Sequence, residues 1–200
     1  MMIPMRALVH YLTHPQVQID PAVAVPAWGL SEIGRARVAA LVAASWLTAV
    51  TQVVASSERK AIETAQPIAA ALGLKLEIRE AMGENDRSAT GFLAPAEFET
   101  VANRFFAMPA LSVRGWERAV DAQTRIVAEA EQVLGRERAG DVLLVGHGAV
   151  GTLLYCHYAG LAISRQHDQP AGGGCYFSFR KQARAVLHAW RPMEIAPLER

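Results

Sequence analysis

The chain is 200 residues long, 52% hydrophobic and 20% charged, with a formal net charge of +1. This describes one globular domain large enough for a central sheet covered by helices, and it leaves little length for a second domain. Acidic and basic residues are mixed along the sequence, which argues against a nucleic-acid surface or a polybasic membrane tail, so any anion pocket must be local.

The opening MMIPMRALVHYL carries one arginine and a short strand-like run instead of the apolar core and cleavage site of a signal peptide. Cys156 and Cys175 lie far apart, outside any CxxC pattern and in apolar surroundings. Buried free thiols in a reducing, cytoplasmic setting are expected. Residues 6–13, RALVHYLT, are β-rich and stop at His14-Pro15, which predicts a first strand. On a strand, His10 and His14 would stand about 13 Å apart at roughly 3.3 Å per residue, too far to share one metal ion.

A proline-containing loop follows to Trp28. Ser31 can cap a helix whose apolar positions continue to Trp46, with Arg35 and Arg37 on a solvated rim. Residues 38–50 form the most lipid-like stretch; Ser45 and Thr48 interrupt it, and it falls short of the roughly 18 apolar residues a membrane span needs. It is expected to be a buried helix. Residues 51–55, TQVVA, predict a second strand, followed by the polar Ser56-Ser57 turn and a helix ending at Gly73, with Pro67 expected to kink or break it.

Residues 75–79 offer a third strand, GENDRSATGFLAP a polar loop, and residues 96–107 and 115–134 two helices. The apolar run 142–145 predicts a strand buried on both faces, leading through Gly146-His147-Gly148 into an apolar helix. The glycines are expected to let the backbone turn sharply and bring helical N–H groups to an anion. ISRQHDQPAGGG reads as a long connection, and CYFSF and AVLHAW as an antiparallel hairpin around RKQAR.

Strands alternating with helices predict a three-layer α/β fold with a mostly parallel sheet, the C-terminal hairpin and a small helical cap at about residues 81–111. In such sheets ligands bind beyond the carboxyl ends of the strands, where His14, residues 56–60 and His147 all fall. Two histidines, cationic side chains and a carboxylate loop suit phosphoryl transfer. A neutral imidazole attacks phosphorus, positive groups hold the equatorial oxygens, and a carboxylic acid protonates the leaving oxygen.

These residues resemble the histidine phosphatase superfamily, in its phosphoglycerate-mutase-like branch. YLTHPQV stands where that family has Arg-His-Gly, ASSERKAIETA resembles its serine-rich strand end with Arg-Ala-x-Gln-Thr-Ala, Leu30, Ser31 and Gly34 match Leu-Ser-x-x-Gly, and His147-Gly148 matches the late His-Gly. The resemblance spans about residues 6–160 and implies a metal-independent phosphomonoesterase without cofactor, working on a small-molecule phosphate ester through a phosphohistidine. His14 takes the nucleophile position, His147 the stabilising one, and Glu84 is favoured over Glu80 and Asp86 as the proton donor.

Lys60, Thr13, Arg59 and Gly148 are the implied phosphate contacts. Thr13, Pro15 and Lys60 replace an arginine, a glycine and a second arginine of the family pattern. Lysine keeps a charge but loses the planar fork, so phosphate binding should be weaker or aided from elsewhere, for example by Arg59, Arg87 or Arg165. The alternative is a weak or inactive member that binds a phosphorylated ligand or protein partner. Of the other histidines, His167 has a loop long enough to reach the pocket, and the rest are expected to be structural or superficial.

Overall fold

The computed structural model describes residues 7–136 and 139–197. Six strands form one sheet: β1 Leu8–Thr13, β2 Val50–Ser56, β3 Leu76–Arg79, β4 Asp141–Gly146, β5 Cys175–Arg180 and β6 Val186–Pro192, in the order β3-β2-β4-β1-β5-β6. β1 to β4 run parallel, whereas β5 is antiparallel to β1 and to β6. The expected α/β class, largely parallel sheet and C-terminal hairpin are therefore present. β1 and β4 are buried along their whole length, because both lie in the middle of the sheet with helices on either side.

Five helices cover the sheet: α1 Glu32–Val42, α2 Arg59–Ala71, α3 Pro95–Ala107, α4 Ala119–Leu134 and α5 Gly148–Ala159. On one face, Leu12, Val53, Ala55, Leu143 and Val145 meet Val38, Leu41, Ala65 and Ile68 of α1 and α2. On the other, Val9, Tyr11, Val54, Val142 and Leu144 meet Phe105, Ile126, Val150 and Leu153 of α3, α4 and α5. The alternation of these residues along each strand sends successive side chains to opposite cores.

Local chemistry sets the helix ends. Ser31 Oγ accepts from Gly34 N–H at 3.0 Å and caps α1. Gly34 has no room for a Cβ, which would strike the Gln16 carbonyl. The 38–50 stretch departs from the expected single helix: α1 ends at Val42, a 3-10 turn spans Ser45–Ala49, and β2 begins at Val50. Trp46 stacks on Tyr176 with ring centroids 4.8 Å apart, a tertiary contact to a distant strand that helical periodicity does not encode. Nor does Pro67 break α2, which runs continuously through it, held on the sheet by buried Ala65, Ile68 and Ala69.

Arg37 also differs from expectation. It donates to the carbonyls of Gly173 at 2.9 Å and Gly174 at 3.0 Å and pairs with Glu194, pinning the glycine-rich connection instead of lying free in solvent. Both cysteines are buried free thiols. Among the described residues, no helix is long and apolar enough to cross a membrane.

Candidate active site

Beyond the carboxyl ends of β1, β2 and β4 opens a cleft of about 770 Å³, lined by His14, Lys60, Glu84, Arg87, Gly148, Arg165 and Gln169, with Trp28, Phe98 and Trp116 on its apolar side. His14 is fixed there by its own backbone. Its N–H donates to the Gly146 carbonyl at 3.1 Å, and its carbonyl accepts from Gly174 N–H at 3.0 Å. The imidazole Nδ1 lies 2.9 Å from the Pro15 carbonyl. A carbonyl only accepts, so Nδ1 carries the proton and Nε2 of the neutral ring carries the lone pair. Burial is the main cause that lowers the His14 pKa from 6.5 to about 4, reinforced by the charges of Lys60 and Arg87.

His147 stands opposite, with the two ring centroids 5.3 Å apart and the planes inclined at 67°. The ring is fully buried, and burial holds its pKa well below the ordinary value, with His14, Lys60, Arg87 and Arg125 acting in the same direction. Its Nε2 is 2.8 Å from Ser56 Oγ and 3.4 Å from Glu58 Oε1. Its Nδ1 has no hydrogen-bond partner among the described residues.

The turn carrying His147 is shaped by Tyr11. The Tyr11 hydroxyl donates to the His147 carbonyl at 3.2 Å and accepts from its N–H at 3.1 Å. A Cβ at Gly146 or Gly151 would collide with the Tyr11 side chain. Neither Gly146 nor Gly148 has a positive φ. These glycines thus serve close approach of other side chains, and the sharp-turn reading of the sequence is corrected on that point.

Glu58, which sequence reasoning passed over, ties the site together. One of its oxygens pairs with Lys60 Nζ, and the other accepts from Glu84 N–H at 2.8 Å. Lys60 Nζ also donates to the Val25 carbonyl at 3.0 Å. The ammonium is therefore buried at the cleft but already neutralised. Glu58 lay next to the polar strand end, and only its place between Lys60 and His147 distinguishes it from an ordinary helix-start carboxylate.

Among the three loop carboxylates, Glu80 is exposed and outside the cleft, and Asp86 accepts from Ser88 N–H at 2.8 Å. Glu84 lines the cleft and accepts from the N–H groups of Ala149 at 3.2 Å and Val150 at 3.0 Å. It thereby occupies the first turn of α5, where an external anion was expected to sit. Arg125 holds this loop by donating to the carbonyls of Ala81, Gly83 and Glu84.

Arg59 does not join the site. Next to Lys60 on a helix it points in another direction, pairing with Glu63 one turn on at 2.6 Å, and it lines a separate depression. Thr13 turns its hydroxyl to Gln169 at 2.6 Å and to the backbone of Cys175. Arg165 lines the cleft but is engaged by Glu99 and Asn103 of α3. His167 is not among the lining residues, whereas Gln169 of the same connection is. Arg87 lies over the rings of Phe98 at 5.2 Å and Trp116 at 5.5 Å, and no described ion pair involves it.

Solved structures share this fold. Mycobacterial glucosyl-3-phosphoglycerate phosphatase in complex with inorganic phosphate is 18% identical with TM-score 0.74, over 95% of this chain and 100% of that one. Bacillus stearothermophilus YhfR is 17% identical with TM-score 0.77, over 92% and 95%. Alpha-ribazole phosphatase from Shigella flexneri is 16% identical with TM-score 0.72, over 96% and 100%. Comparison with curated proteins returned no match. The profile of the histidine phosphatase superfamily (branch 1) matches residues 21–191, a span that begins after His14 and includes Lys60, Glu84 and His147. The chain belongs to the histidine phosphatase superfamily, branch 1.

Proposed function

We propose that the protein is a phosphomonoesterase that hydrolyses a small-molecule phosphate ester through a phosphohistidine on His14. The observation that carries this reading is the pair of imidazoles 5.3 Å apart beyond the ends of β1 and β4, with His14 Nε2 left free by the Nδ1 bond to Pro15. Nε2 of His14 attacks phosphorus while the bond to the ester oxygen breaks. Glu84 gives its proton to that oxygen. Water then attacks the phosphohistidine, Glu84 takes a proton from that water, and the N–P bond breaks to release phosphate.

His147 supports the transferring group. In this reading Ser56 Oγ, which accepts from Glu58 N–H at 3.2 Å, donates its proton to His147 Nε2. The ring proton then falls on the unpartnered Nδ1, which donates to an equatorial oxygen. Arg87 supplies positive charge, Lys60 lines the cleft as the partner of Glu58, and the missing side chain of Gly148 leaves room for Gln169 beside the start of α5. Trp28, Phe98 and Trp116 offer the leaving group an apolar, flat surface on one side of the cleft.

A second reading draws on Glu58 and Glu84. The first neutralises Lys60 and the second fills the N–H groups of α5, which favours a member that binds a phosphorylated ligand with little or no turnover. Hydrolysis of an aryl phosphate, with and without chelator, separates the two. Expected is chelator-insensitive turnover that falls at least about 1,000-fold in His14→Ala. Vanadate binding with turnover at background would select the second reading, and turnover unchanged in His14→Ala would overturn the first.

A further inference from the structure

Thr13 is fully buried at the end of β1, where the family motif carries an arginine. Its hydroxyl accepts from Cys175 N–H at 3.1 Å, so its single proton remains to be donated. Two acceptors are in reach, Gln169 Oε1 at 2.6 Å and the Cys175 carbonyl at 3.1 Å, and the shorter contact takes it.

That bond fixes which way round the Gln169 carboxamide lies, with Oε1 toward Thr13 and Nε2 on the opposite side. There Nε2 rests over the start of α5, where a Cβ on Gly148 would come within 2.7 Å of it. No acceptor among the described residues takes a hydrogen from Nε2. Gln169, Gly148 and His14 line the same cleft.

The segment carrying Gln169 is itself anchored. Asp168 Oδ1 accepts from Thr152 of α5 at 2.9 Å and from Gln169 N–H at 2.8 Å. Trp190 Nε1–H of β6 donates to the His167 carbonyl at 2.9 Å. The amide is thus held in place before any ligand arrives, and neither N–H of Nε2 has an acceptor among the described residues.

We propose that Gln169 is a ligand for a phosphate oxygen, aligned by Thr13, and that this pair provides the grip which the replaced arginine does not; this rests on the reading of the His14–His147 cleft as a phosphate site. A carboxamide offers two donors without charge, so its hold is real but weaker than a guanidinium fork. Thr13 is then a positioning residue, acting through Gln169.

The test measures dissociation constants of inorganic phosphate and vanadate for the wild type, Gln169→Ala, Gln169→Glu, Thr13→Val and the Thr13→Val/Gln169→Ala double variant, each first shown to be folded by its thermal midpoint. Gln169→Ala is expected to weaken binding about 10-fold or more. Gln169→Glu should weaken it further near neutral pH and recover part of the loss in acid, where its carboxyl takes up a proton. Thr13→Val should weaken binding in the wild-type background and have no further effect on Gln169→Ala. Wild-type binding that both Gln169 variants leave unchanged would overturn the assignment of Gln169 alone. Absence of wild-type binding to either anion would overturn the phosphate-site reading and this assignment with it.

Discussion

The carboxylate of Glu58 pairs with Lys60 through one oxygen and reaches toward His147 Nε2 at 3.4 Å with the other. A fixed negative charge here opposes an arriving dianion and holds the lysine back from it. Glu58→Gln removes that charge while keeping the shape, and it is expected to tighten vanadate or phosphate binding roughly tenfold. Equilibrium titration checks it, and weaker binding would mean that Glu58 is needed to aim Lys60. Glu84→Gln should slow alkyl phosphates more than aryl phosphates, because a good leaving group needs little protonation. If Asp86→Asn shows that split and Glu84→Gln does not, the proton donor is Asp86. The two histidines were legible in the sequence because each follows a strand directly. Glu58 and Gln169 were not, since their roles come from partners far away in the sequence, His147 and Thr13.

At the scale of elements, the β4–α5 turn is built around one tyrosine of β1. Tyr11 lies between Gly146 and Gly151, and Trp190 closes the far side, 2.9 Å from where a Gly151 Cβ would sit. Gly151→Ala should gain about 1 kcal/mol in helix propensity yet lose about 1–3 kcal/mol by overpacking two aromatic rings. A net loss in urea unfolding is therefore expected, together with reduced turnover as the His147 backbone shifts. A net gain would show that the rings yield. The strands were readable because buried β-branched runs stand between clear turn signals, as with residues 142–145. The break between α1 and β2 was not, because alanine-rich residues 38–44 carry no strong period and Trp46 is placed by Tyr176 of β5. Sheet order was equally hidden, since it depends on which strands cross over and local pattern does not record that.

Across the whole molecule, the site is assembled at the cost of holding two imidazoles neutral. The His14 pKa is lowered from 6.5 to about 4, and His147 is lowered as well, both mainly by burial. Between about pH 4 and 6.5 the unfolded chain therefore binds more protons than the native one, and stability rises with pH across that window. Urea midpoints should fall on acidification through it, and His14→Ala should show a shallower slope than the wild type; equal slopes would contradict the low value for His14. The same shift keeps the nucleophile unprotonated in mildly acidic solution, so the acid limb of kcat/KM should lie below the ordinary histidine range. The most direct measurement is to mix the protein with an aryl phosphate, quench at high pH during turnover, and map the covalent phosphoryl group by mass spectrometry. Expected is an alkali-stable, acid-labile phosphoryl group on the peptide containing His14, absent from His14→Ala and accumulating in Glu84→Gln. Steady hydrolysis by the wild type with no phosphoryl group on His14 would contradict the account.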